Sequence, residues 1–140
     1  MLFRSTRRAL TLNSELSGAN AAIGFSQLML GQTDEAGKSF AAEKGELRRL
    51  TGHAMVARRK HRDADAYTAL ARIETQFGTS ALYEQAQVLA QWGERDRAMA
   101  TLLKAAATGD PGLVLIRTDP LIDPLRDRPE FSGLLKQAGF

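Results

Sequence analysis

Four aspartates, Asp110, Asp119, Asp123 and Asp127, crowd the last part of the chain, and carboxylate oxygens are what hard cations take as ligands. Their placement against prolines, in Asp110-Pro111, Asp119-Pro120 and Asp123-Pro124, argues instead for helix caps. A side-chain oxygen accepts from the free amides of a first turn, and the fixed φ of proline suits the first helical position. His53 and His61 are eight residues apart, and neither has a cysteine or a further histidine at metal-ligand spacing. Gly31, Gly93 and Gly109 fall where helices end, so no glycine-rich phosphate loop is present. No nucleophile and base can be paired from the serines and histidines alone. These residues point away from an enzyme and imply neither a metal nor a cofactor.

A second chemistry lies between Leu47 and Arg62. Arg48, Arg49, Arg58, Arg59, Lys60 and Arg62 occur there with His53 and His61, and no acid interrupts them. Such a stretch suits an anionic partner, nucleic acid included, or is the solvated outer face of a helix and its turn. The interleaved aromatics on which single-stranded nucleic acids stack are missing, which argues against nucleic acid.

At 140 residues, with 44% apolar and 25% charged residues and a formal charge of +3, the chain has the size and composition of one globular domain. The absence of cysteine removes disulfides, cysteine-bound zinc and thiol catalysis. No apolar run approaches the roughly 20 residues that span a bilayer, so no membrane insertion is expected. The opening MLFRSTRRALTL is basic but has no apolar stretch long enough for a signal peptide. The cytoplasm is the default compartment, with the periplasm open if the chain was cut from a larger membrane-anchored protein.

The elements that must position these residues are helices. In 80–107, Leu82, Ala86, Leu89 and Trp92 form one stripe at helical spacing, and Ala98, Leu102 and Ala105 form another. Gly93 breaks the two and suits a left-handed C-terminal cap. Small residues at Ala86 and Ala98 let the two helices cross closely. The same skeleton recurs upstream at Gly24, Gly31 and Ala36, and at Gly52, Arg59 and Ala64, where Arg59 replaces a glycine. The spacing predicts helices over 17–30 and 34–43, with Thr33 or Asp34 as cap, then over 46–60 and 63–77, ended by Gly78. Thr79 or Ser80 would cap the third pair, and Glu43-Lys44-Gly45 would make a sharp turn. Phe131, Leu134 and Leu135 give a last helix its apolar face, expected to lie across the third pair.

These residues resemble the tetratricopeptide repeat family. Ile23-Gly24 is similar to that family's apolar-glycine pair, and Ala36 with Phe40 to its alanine and aromatic; Thr68 and Leu102 stand at the position of Phe40 in the weaker copies. The tail, from Asp110-Pro111-Gly112-Leu113 to Phe131, resembles the ending of such regions in bacterial multidomain signalling proteins, among them nucleotide cyclases, winged-helix regulators and serine/threonine kinases. It departs from them at Arg128, where an aspartate often precedes the proline, so the last helix should be less well capped. The resemblance implies an all-α fold, an alpha-alpha superhelix of about three helix pairs over 17–108 with a capping segment over 109–140. Residues 1–16 read as a partial repeat, a possible contact for a homodimer through Leu10 and Leu12.

It also implies a concave groove, lined by the first helix of each pair, that receives a peptide or helix of another protein. By offset from each crossing residue the groove positions are Ala21, Phe25, Leu28 and Met29, then Arg49, His53, Val56 and Ala57, then Tyr83, Gln87, Ala90 and Gln91. Phe25, Met29 and Tyr83 would supply apolar contacts, Arg49 an acidic group's partner, and His53 and Gln87 polar ones. The expected function is a non-enzymatic protein-binding module of a bacterial signalling system. Binding of an anionic ligand through 48–62, or structural self-association, stands as the alternative.

Overall fold

Local stripes of this kind fold as helices, and the computed structural model, which describes residues 18–140, holds seven α-helices and no strand among them. In chain order they are α1 (Ala19–Met29), α2 (Thr33–Ala41), α3 (Glu46–Arg59), α4 (Asp63–Phe77), α5 (Leu82–Gln91), α6 (Arg95–Thr108) and α7 (Pro129–Gln137). Short 3-10 turns cover Gly78–Ala81, Pro111–Leu115 and Pro120–Leu125. The partial repeat expected over 1–16, with Leu10 and Leu12, lies outside the described residues. No described helix is long and apolar enough to cross a membrane. The chain divides into two compact units, the first ending at Arg72 and the second running from Ile73 to Phe140.

Three helix-to-helix turns share one hydrogen-bond pattern. Gly31 N–H donates to Leu28 O (3.1 Å) and Gln32 N–H to Gln27 O (2.9 Å). His61 and Arg62 do the same to Arg58 O (3.1 Å) and Ala57 O (2.8 Å), and Gly93 and Glu94 to Ala90 O (3.1 Å) and Leu89 O (3.0 Å). This is the Schellman closure, which needs a left-handed residue at its centre. Gly31 (φ 79°), His61 (φ 60°) and Gly93 (φ 82°) occupy it.

The pattern corrects the register of the second copy. Its turn residue is His61, not Arg59, and its small crossing residues are the fully buried Ala54 and Ala66, whereas Ala64 is exposed. Leu70, not Thr68, then stands where Phe40 and Leu102 do, and all three are buried. The register differs by two residues because Gly52 is small without being the crossing residue, and because histidine is one of the side chains that tolerates the left-handed region, so the turn carries no glycine. Gly52 has a different task. A Cβ there would lie 2.1 Å from the Phe40 ring, and one on Gly24 would lie 2.7 Å from it, so the ring enters between two bare backbones.

Several caps also differ from expectation. The residue before α2 is Gln32, and neither Thr33 nor Asp34 caps it; α5 is preceded by Ala81 and takes no cap from Thr79 or Ser80. Gly45 sits at φ −71°, so the 43–45 turn makes no use of glycine's left-handed freedom. At α7 the structure agrees with the sequence: Arg128 gives no side-chain cap, and its guanidinium reaches Asp96 (2.5 Å) and Glu130 (3.5 Å) instead.

In the second unit α5 packs on α6, and the turn Pro120–Leu125 packs on both, while α7 lies on α6. Ile116, Leu121, Ile122, Leu125, Phe131 and Leu134 are all buried. At about 1.5–3 kcal/mol of transfer free energy for each large side chain, this burial is what holds the C-terminal segment down.

Candidate functional site

Phe25 and Met29 are four residues apart on α1, and Arg49 and His53 four apart on α3, so each pair lies on one helix face. These two helices pack on each other within the first unit. Phe25 is half-buried, its ring edge-on to that of Phe40 with centroids 4.9 Å apart. Met29 is 39% exposed and His53 is exposed. Arg49 is half-buried and donates from Nη1 to the Glu43 carbonyl at 3.2 Å. Ala21, Leu28, Val56 and Ala57 are core residues, not groove residues.

Tyr83 and Gln87 are placed otherwise than a groove requires. Tyr83 is 1% exposed and Gln87 8%, and the chain's own C-terminal segment covers them. The Tyr83 hydroxyl donates to Asp119 Oδ2 (2.8 Å), and Gln87 Nε2 donates to the same oxygen (2.7 Å). One further turn along, Gln91 Nε2 donates to the Leu121 carbonyl (2.7 Å). A donor ladder on α5 thus grips an Asp-Pro-Leu turn. Burial, then the charge of Asp119 and the bond to it, push the Tyr83 phenol far above its ordinary pKa.

The aspartates serve as turn acceptors. Asp119 Oδ1 accepts from Leu121 N–H (2.9 Å) and Asp110 Oδ1 from Gly112 N–H (2.8 Å), as the Asp-Pro pairs implied. Asp110 Oδ2 also accepts from Tyr83 N–H (3.1 Å), supplying the α5 amino end with the cap its own neighbours lack. Asp123 caps nothing; it meets Arg126 Nε (2.6 Å), and the 3-10 turn runs on through Pro124. Asp127 pairs with Arg95. Among the described residues no three acidic, histidine or cysteine side chains converge as metal ligands do.

Most of the basic stretch is engaged within the first unit. Arg59 Nη1 donates to Leu28 O (2.7 Å), Arg58 Nη1 to the Tyr67 hydroxyl (3.0 Å), and Lys60 Nζ meets Asp34 (2.6 Å). Asp34 is held below its ordinary pKa by the Lys60 hydrogen bond and charge, with Lys38 and Arg62 adding theirs.

The residue that sequence reasoning missed is Glu43. It is 3% exposed, and its carboxylate accepts from Gly18 N–H (3.0 Å), Ala21 N–H (2.8 Å) and Gly45 N–H (2.7 Å). One side chain therefore caps the amino ends of both α1 and α3. Burial alone would raise its pKa, but the amides of Gly45, Gly18 and Ala21, with the Arg48 charge, outweigh it and hold the carboxyl below its ordinary value. No local signal marks it, since two of its amide partners lie 25 and 22 residues back in the chain. Leu30, 66% exposed beside Met29, was also passed over.

Compared with family models, curated proteins and solved structures, the chain matches none.

Proposed function

We propose that this chain is a non-enzymatic protein-binding module built of tetratricopeptide-like helix pairs, in which the α1 and α3 faces around Phe25, Met29, Arg49 and His53 receive a peptide or helix of a partner. The observation that carries the reading is the recurrence of one Schellman closure with a small buried residue on each side of it, Gly24 and Ala36, Ala54 and Ala66, Ala86 and Ala98. Repeated helix pairs of this kind present extended faces rather than one converging site. The α5 ladder supports it further: Tyr83, Gln87 and Gln91 hold the Asp119–Leu121 start of a short 3-10 turn by side-chain donors, as a peptide-binding helix face holds a partner segment. The carboxylates that would suit catalysis, Glu43, Asp110 and Asp119, are taken up by backbone amides. The likeness of the tail to bacterial signalling proteins extends the proposal to a regulatory or scaffolding role. The α5 face, filled from within, is left out of the docking surface, and so are Tyr83 and Gln87.

The test is selection from a displayed peptide library on the immobilised chain, with Met29→Glu and His53→Glu as counter-targets. Both side chains are exposed, so neither change disturbs the core. Enriched peptides should bind the wild-type chain and weaken on the order of tenfold with Met29→Glu, about 1.4 kcal/mol. Recovery of no peptide, or of peptides indifferent to both changes, would contradict the proposal.

A further inference from the structure

The turn after α3 stands beside the carboxyl end of α1, tied by Arg59 Nη1 on Leu28 O (2.7 Å), and beside the first turn of α2, tied by Lys60 Nζ on Asp34 (2.6 Å). Two features meet at that edge of the first unit. One is aliphatic: Leu30 is 66% and Met29 39% exposed, next to each other at the turn. The other is charge. Lys38 pairs with Glu35, Arg58 with Asp63 and Lys60 with Asp34, and Arg59 and Arg62 bring the formal charge of these residues to an excess of two positive charges. Arg62 is near enough for its charge to act on the Asp34 carboxyl.

From this juxtaposition we infer that the paired-turn edge is an interaction surface for an acidic peptide bearing aliphatic side chains, which would cover Leu30 and Met29 and lay its carboxylates against Arg62. The inference rests on the protein-binding reading above and names the chemistry of the partner. Charge complementarity favours an acidic segment, and the aliphatic pair requires an apolar one. A nucleic acid fits less well, because the edge offers aliphatic side chains where base stacking needs aromatic ones. A bilayer also fits less well: two aliphatic side chains bury fewer methylenes than one acyl chain, which by itself binds only marginally, and three carboxylates share the edge.

The experiment is a fluorescence-polarisation titration of the full chain with a labelled peptide of two leucines flanked by glutamates, against its counterpart with lysines. Leu30→Glu and Arg62→Glu are tested beside wild type, at low and moderate salt; both residues are exposed, and circular dichroism checks that the variants fold. The glutamate peptide should bind, weaken on the order of tenfold in each variant, and lose only part of its affinity with salt, since the aliphatic contact is not screened. The lysine peptide should not bind. Equal binding of both peptides, indifference to both variants, or preference for RNA or anionic vesicles offered as competitors overturns the inference. If the glutamate peptide binds but responds only to His53→Glu, the inference falls and the protein-binding reading stands. If it fails to bind while library selection still yields peptides sensitive to Met29→Glu, the outcome is the same, whereas failure of both experiments defeats the reading itself.

Discussion

Glu43 shows how much one side chain can organise. Three amides converge on its carboxylate, all of them at the amino ends of α1 and α3, where the dipole favours negative charge. Glu43→Gln keeps the shape but turns donors toward donors, and should cost about 1–3 kcal/mol in urea unfolding. The effect depends on pH in a definite direction. Because the folded pKa lies below the ordinary value of 4.5, the unfolded chain takes up the proton first, and the stabilisation present above that value is lost as pH falls through the folded pKa. The gap between wild type and Glu43→Gln should therefore be full at neutral pH and narrow below about pH 4. His61 gives a prediction of opposite sign. It holds a left-handed backbone that glycine adopts without strain, so His61→Gly should raise stability by about 0.5–1 kcal/mol. At Gly31 an added Cβ meets nothing within 4 Å, so Gly31→Ala should lower it by about 1 kcal/mol through the backbone alone. Equal effects of the two changes would disprove the shared closure.

The C-terminal segment, taken as an element, is fixed to α5 by Asp119, which serves its own turn with one oxygen and the α5 donors with the other. Asp119→Ala would strand the Tyr83 hydroxyl and Gln87 amide in a buried place, at about 1–3 kcal/mol. Hydrogen exchange should show the Ile122 and Phe131 amides losing protection before those of α6; uniform loss would mean that the segment has no separate anchor. An alkaline titration adds a check, because the raised Tyr83 pKa makes folding favour its proton, so stability should fall as pH rises past about 10 and the phenol should ionise only on unfolding. How far the elements were legible follows from range. Helix bounds such as 63–77 depend on the apolar residues Ala66, Leu70, Ile73 and Phe77, all in one short window, and they stand as expected. Caps do not: Asp110 reaches Tyr83 across 27 residues and Asp119 across 36, so no window contains both partners. Tyr83 and Gln87 misled for a related reason. A polar and aromatic helix face reads the same whether another protein or the chain's own tail will cover it.

Across the whole molecule, the binding proposed above falls to the first unit, where Met29, Leu30 and His53 are exposed, while the second has a self-filled face, where Tyr83 and Gln87 are spent on Asp119. Charge supports that division only in part, since the basic side chains from Arg58 to Lys60 already hold Tyr67, Leu28 and Asp34. The measurement that tests the assignment most directly is a chemical-shift map of the isotopically labelled chain, at 15.3 kDa well suited to it, titrated with a peptide from the library selection. Shifts should concentrate on the amides around Phe25, Met29, Arg49 and His53 and leave Tyr83, Gln87 and Leu121 unmoved. Shifts centred on α5 and the Pro120–Leu125 turn, or no saturable shifts at all, would contradict it.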